Sequence, residues 1–226
     1  MLIDWRSFIL HKSKQPKNLF PTGTRVYTGH QGKGKTLSMV KYIYDIKREF
    51  PKCVIFSNVY LKGIDYHYYN DNIGLKTALN FSNGKDGVLV VVDEAQLFFN
   101  KKDGISIDVF TAICQQRKDR RRLIFTCQIW EDLDISLRKQ VPDIVKCNTL
   151  LGLIQVNKIL DGESLHYDKL ESSYIANKKY TEVFKHNDKY YNRYDTYQKV
   201  ITNVEYKRVL SPAAPPFAAQ GATVKE

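Results

Sequence analysis

Gly29-His30-Gln31-Gly32-Lys33-Gly34-Lys35-Thr36 constrains this chain more than any other stretch, because it meets the pattern G-x-x-x-x-G-K-[ST] at every required position. A short strand candidate, Thr24–Thr28, enters it. Apolar residues at near-helical spacing leave it from Lys35 to Phe50, where Pro51 stops the helix. Glycines in such a loop let successive backbone N–H groups face one concavity, and the helix N-terminus adds partial positive charge. The expected nucleotide-binding set is Gly29, His30, Gln31, Gly32, Lys33, Gly34, Lys35, Thr36 and Leu37. Lys35 is expected to reach the β- and γ-phosphates of ATP, and the Thr36 hydroxyl to ligate Mg²⁺.

Val88–Val92 is apolar at every position, as a strand buried on both faces would be, and it ends in Asp93-Glu94, 57 residues after Thr36. Two carboxylates after a strand also suit an ordinary helix start. With the loop present, Asp93 is expected to serve the metal and Glu94 the attacking water. Adenylate-type kinases generally lack a Glu beside this Asp, so the pair favours hydrolysis coupled to motion. Leu123–Gln128 reads as a further strand ending in a glutamine. Gln128 is the candidate γ-phosphate sensor, against the alternative of a solvent-facing strand end. Arg117 and Arg138 are candidates for an arginine supplied to a neighbouring subunit's site, although surface arginines in salt bridges are commoner.

Strands at Cys53–Ser57, Arg122–Cys127 and Ile144–Leu150 and helices at Leu75–Leu79, Ile105–Lys118 and Asp134–Gln140 complete an alternation that predicts an α/β fold. The expected core is a P-loop NTPase with a mainly parallel sheet covered by helices on both faces. Leu153–Leu160 and Ser164–Leu170 are expected to form a C-terminal β-hairpin around Asp161-Gly162-Glu163, followed by a Tyr-rich segment. The organisation reads as a basic arm (1–22), an ATPase core (23–152), an extension of the same domain (153–208) and a flexible tail (209–226).

Charge is uneven. The 226 residues carry a formal net charge of +11, of which +8 falls in residues 1–52 and +4 in 101–122. Such an excess suggests a polyanionic partner, nucleic acid first and an anionic membrane second. Lys33 and Lys35 belong to the expected triphosphate site, so part of the excess is for ATP. No apolar run approaches the roughly 20 residues of a membrane-spanning helix. Cys53, Cys114, Cys127 and Cys147 lack CxxC spacing and read as reduced structural residues, and the five histidines are too scattered for a zinc site.

The GHQGKGKT loop, Val90–Phe99 (VVVDEAQLFF) and Gln115–Gln128 (QQRKDRRRLIFTCQ) resemble the zonular-occludens-toxin-like assembly proteins of filamentous phages. These belong to the wider FtsK–HerA group of DNA-pumping ATPases, which includes genome-packaging ATPases of membrane-containing icosahedral viruses. Looser likenesses are Leu137-Arg138 and Tyr190–Thr196, and the whole covers roughly residues 24–200. The resemblance implies the roles given above for Lys35, Thr36, Asp93, Glu94 and Gln128, and a basic residue at Arg117. It also implies a homo-oligomeric ring, expected to be a hexamer, acting on viral DNA in the host cytoplasm or at a virion vertex, with a capsid-vertex or membrane protein as a further partner. Filamentous-phage relatives typically carry a membrane span after the ATPase. Its absence here puts genome packaging ahead of extrusion with a separate membrane partner. A nucleotide-dependent scaffold with slow hydrolysis is the alternative from another class.

Overall fold

The computed structural model describes residues 19–169 and 173–194. The expected arm before Leu19, Leu170, the end of the Tyr-rich segment and the expected tail lie outside them. An eight-stranded sheet organises the rest. In chain order its strands are β1 (Gly23–Thr28), β2 (Val54–Ser57), β3 (His67–Tyr68), β4 (Val88–Val92), β5 (Arg121–Cys127), β6 (Asp143–Leu150), β7 (Ile154–Asp161) and β10 (Lys178–Lys185). β8 (His166–Asp168) and β9 (Ser173–Ile175) form a separate antiparallel ladder.

The spatial order is β10-β7-β6-β1-β5-β4-β2-β3. The run from β6 to β3 is parallel throughout, and β7 and β10 extend the β6 edge antiparallel. β5 thus lies between the strand that enters the phosphate loop and the strand that ends in the acidic pair, the position expected for a sensor strand.

Helix α1 (Lys35–Glu49) covers one face of the sheet. Its Leu37, Val40, Ile43 and Ile46 pack on Tyr27, Ile55, Leu89, Val91, Ile124 and Val145. Helices α2 (Asn72–Asn80) and α3 (Ile107–Cys114) cover the other, where Leu75, Leu79, Val109 and Ile113 meet Val26, Val88, Val90, Val92, Leu123 and Phe125. β4 shows the alternation of a doubly covered strand: Val88, Val90 and Val92 face one layer, Leu89 and Val91 the other, and none is exposed. Short helices α4 (Ile135–Arg138) and α5 (Asp188–Tyr191) complete the order.

Two elements differ from the sequence expectation. The hairpin is built by β6 and β7, turning through Leu151 (φ 51°) and Gly152 (φ 68°), so the expected division at 152/153 falls in its turn. Asp161-Gly162-Glu163 instead enters a 3-10 turn, in which the Gly162 N–H donates to the Pro142 carbonyl at 3.1 Å. The helix expected over Ile105–Lys118 spans only Ile107–Cys114. Gln116, buried beyond its end, bonds Thr24 Oγ1 (2.9 Å) and the Ile113 carbonyl (2.7 Å) and turns the chain towards β5.

The basic cluster before the sensor strand is partly internal. Arg121 is buried, donating to the carbonyls of Ala112 (3.2 Å) and Phe81 (3.1 Å) and pairing with Asp119 at 3.2 Å. Arg122 pairs with Asp143 at 2.8 Å and Arg25 joins the same carboxylate at 3.5 Å. Burial alone would raise the Asp143 pKa, but Arg122, Arg25 and Lys179 together hold it well below the usual carboxylate range. These arginines pin the starts of β1, β5 and β6 together and are withdrawn from any external polyanion.

Candidate active site

The phosphate loop leaves the C-terminal end of β1 and delivers Gly34 as the N-cap of α1, at φ 74° and without a side-chain cap. The N–H groups of the first helical turn have no intrahelical acceptor and are available to an anion. Lys35 is buried, and its Nζ donates to the His30 carbonyl at 3.3 Å, spanning the loop. His30, Gln31 and Gly32 are exposed, whereas Leu37 packs in the core. Beside the loop, Gly29, His30 and Lys33 border a cavity of about 240 Å³ whose far wall carries Lys146, Asn148 and Lys158.

Asp93 is where loop, β4 and β5 meet. Its Oδ1 accepts from Thr36 Oγ1 (3.3 Å) and from Thr126 Oγ1 (2.6 Å). Asn58, just after β2, holds its backbone from both sides: Asn58 Nδ2 donates to the Asp93 carbonyl at 3.0 Å and Asn58 Oδ1 accepts the Asp93 N–H at 2.7 Å. Burial raises the Asp93 pKa. The Thr126 hydrogen bond opposes that rise, the Glu94 charge adds to it, and the Thr36 bond and Lys35 charge oppose it.

Glu94 follows in a left-handed conformation (φ 53°, ψ 53°), uncommon for a non-glycine residue, and its N–H donates to Thr126 Oγ1 at 2.9 Å. Its carboxylate is held by two amides. Gln96 Nε2 donates to Oε2, and Gln128 Nε2 lies 3.3 Å from Oε1 and 3.4 Å from Oε2. Gln128 is exposed at the end of β5, and its contact in this state is the acid itself.

The structure therefore brings Lys35, Thr36, Asp93, Glu94 and Gln128 together. It does not bring the two arginines. Arg117 is exposed in the turn before β5. The register pairs Gly23 with Arg122 and Thr28 with Cys127, which places that turn at the end of the sheet opposite the loop, some 20 Å away over a seven-residue strand. Arg138 lies on α4, donates to the Tyr174 hydroxyl at 3.4 Å, and forms no ion pair with Asp93 or Glu94.

Three residues that hold the site together escaped the sequence reading. Thr126 and Asn58 are single polar residues at strand ends, and neither belongs to a spaced motif. Gln155, fully buried on β7, donates to the Lys33 carbonyl at 3.0 Å and supports the loop from behind. Its only sequence signal is a pair of amide side chains at alternate positions, Gln155 and Asn157, which a strand puts on one face.

Thr36 and Asp93 supply two hard oxygens at the loop, a donor set that fits Mg²⁺, an ion that keeps several waters and takes few protein ligands. A phosphate-binding loop at the C-terminal end of a parallel strand, with β5 inserted between that strand and β4, defines a P-loop NTPase fold of the additional-strand type. The zonular occludens toxin (Zot) family model matches residues 24–196, and the chain belongs to that family. The N-terminal domain of zonular occludens toxin from Neisseria meningitidis is similar in structure, with a TM-score of 0.56 at 20% identity over 76% of this chain and 98% of that one. The sulfate complex of the genome packaging NTPase B204 from Sulfolobus turreted icosahedral virus 2 has a TM-score of 0.51 at 17% identity, over 70% of this chain and 96% of that one. Comparison with curated protein sequences finds no match.

Proposed function

We propose that this protein is an ATP-hydrolysing motor that translocates viral DNA during virus assembly. The observation that carries the reading is the convergence of Thr36 and Thr126 on Asp93, which joins phosphate loop, acidic strand and sensor strand in one hydrogen-bonded unit. In this reading the loop N–H groups and Lys35 hold the β- and γ-phosphates. Thr36 and Asp93 hold Mg²⁺, which supplies charge neutralisation at the phosphates when bound. Glu94, released from Gln96 and Gln128, takes the proton of the attacking water, and Gln128 moves to the γ-phosphate.

An arginine from a neighbouring subunit completes the transition-state charge. Arg117, at the far end of the sheet from its own site, would act in trans, and Arg138, held on the Tyr174 hydroxyl, is the second candidate. A ring, with six subunits expected, would supply that neighbour and surround the DNA.

Two settings are compatible with the motor. The family match over residues 24–196 favours a phage-assembly ATPase that extrudes DNA with a membrane partner in the host cytoplasm. The likeness to a genome packaging NTPase supports the alternative of packaging at a virion vertex. A scaffold with slow hydrolysis is the competing class. DNA-stimulated ATP hydrolysis separates motor from scaffold. The motor should be accelerated by DNA, and Glu94→Gln should keep ATP binding but lose turnover. Hydrolysis indifferent to DNA, with Glu94→Gln fully active, would refute it.

A further inference from the structure

Gln155 has no exposed surface, and four hydrogen bonds converge on its amide. Its Nε2 donates to the Lys33 carbonyl at 3.0 Å and to Asn157 Oδ1 at 2.9 Å. Its Oε1 is therefore the acceptor, receiving Thr149 Oγ1 at 2.9 Å and His186 Nε2 at 3.1 Å. That assigns the imidazole proton to Nε2 and leaves Nδ1 to the Tyr191 hydroxyl at 2.7 Å. Burial lowers the His186 pKa, which favours the neutral ring this arrangement uses.

Gln155 is also pressed against the loop. A Cβ at Gly34 would lie 2.0 Å from its Oε1. Because the Lys33–Gly34 peptide is trans and planar, fixing the Lys33 carbonyl on Gln155 turns the Gly34 N–H the opposite way, away from the amide. Ser38, in the first turn of α1, donates its one hydroxyl proton to the Gly34 carbonyl at 2.8 Å and lies 3.2 Å from Asn157 Oδ1, so Asn157 sits against the same turn.

The end of β10 and the chain after it follow the same helix. Lys41 Nζ lies 5.4 Å from the Phe184 ring centre, and the Arg193 guanidinium lies 4.0 Å over Tyr44. The Arg193 carbonyl accepts from the Lys62 N–H at 2.9 Å and lies 3.2 Å from the Tyr44 hydroxyl, whose proton goes to the Lys62 carbonyl. The segment from Phe184 to Tyr194 is thus tied to α1 along its length and to the phosphate loop through one amide.

We propose that Gln155 is a positioning residue for the phosphate loop and that, through His186, it couples occupancy of the loop to residues 186–194. This rests on the ATP reading above. A phosphate on the Gly34 N–H fixes the peptide whose carbonyl Gln155 holds. The Gln155 amide, having Lys33 and His186 as simultaneous partners, transmits that restraint to the segment. The coupling is reciprocal, so loosening the segment weakens ATP.

The test uses the full chain, with ATP affinity, steady-state kinetics and amide hydrogen exchange measured with and without ATP. Gln155→Leu, similar in size but unable to bond, should raise the Kd and KM for ATP about tenfold with kcat nearly unchanged, as expected for lost positioning in ground and transition states alike. His186→Leu should weaken ATP about threefold, and His186→Gln, which keeps a donor towards Oε1, should restore it. In the wild type, ATP should slow exchange across residues 186–194, and in Gln155→Leu it should not. Should Gln155→Leu fail to fold, the His186 pair and wild-type exchange decide. Wild type that binds ATP with unchanged exchange at 186–194, or Leu variants that bind ATP as wild type does, would overturn the coupling. Wild type that binds no ATP would remove the functional reading and the coupling with it, a distinguishable result.

Discussion

Thr126 Oγ1 donates to Asp93 Oδ1 at 2.6 Å while accepting the Glu94 N–H at 2.9 Å, so one hydroxyl on β5 fixes both acids. Thr126→Val keeps the shape and removes both bonds. It should lower kcat for ATP by about 10- to 100-fold and cost about 1–3 kcal/mol of stability, since a buried carboxylate oxygen and a backbone N–H lose a partner. Thr126→Ser should recover most of both. Steady-state kinetics and urea denaturation of the three proteins check it.

Asp93 is expected to oppose stability in the absence of nucleotide. Its carboxyl pKa is raised, chiefly by burial, so the folded state binds more protons than the unfolded state between the two pKa values, and stability falls as pH rises through that window. Asp93→Asn, which can still accept from Thr36 and Thr126, should raise the Tm at pH 7 by a few degrees and abolish Mg²⁺-dependent hydrolysis. The gain should vanish below the unfolded pKa of about 4. Thermal denaturation across pH, without nucleotide, measures it.

At the other end of the sheet the sign reverses. Asp143 has a depressed pKa, so its contribution is full above the unfolded value of about 4 and is lost as pH falls towards the folded one. Asp143→Asn breaks a buried ion pair with Arg122 and should cost about 2–4 kcal/mol between pH 5 and pH 8. The gap to wild type should close below pH 4. Denaturant titrations at several pH values would show this.

Gly34→Ala should be severe for two independent reasons. Position 34 sits at φ 74°, and an added Cβ would collide with the buried Gln155 amide. ATP binding should be lost, measurable by calorimetry, with α1 destabilised at its first turn.

How much of this was legible beforehand depended on whether a residue's role was local. The phosphate loop, the valine run of β4 and the acids after it carry their physics in adjacent positions, and the structure places them as the sequence implies. The β6–β7 turn was missed because its left-handed first position is held by Leu151, where Asn or Asp would have announced it. Gly162 drew the turn instead, although its lack of a side chain answers to the Val141 carbonyl, which a Cβ there would meet at 1.7 Å. The end of α3 was missed because Gln116 finds its partner, Thr24, 92 residues earlier. The charges of Arg121 and Arg122 count towards the excess that suggests a polyanion, because Phe81, Asp143 and Thr22, which help to hold them inside, are brought up only by the sheet. Thr126, Asn58 and Gln155 are isolated polar residues whose meaning appears only when three strands lie side by side.

The central claim, that hydrolysis at this site moves DNA, is tested most directly by ATP-driven displacement of streptavidin from biotin-ended DNA. Wild type with ATP and Mg²⁺ should strip streptavidin from the end it meets, while Lys35→Ala and Glu94→Gln should leave it bound. Displacement by Glu94→Gln at the wild-type rate, or none by a wild type that hydrolyses ATP on the same DNA, would contradict the account.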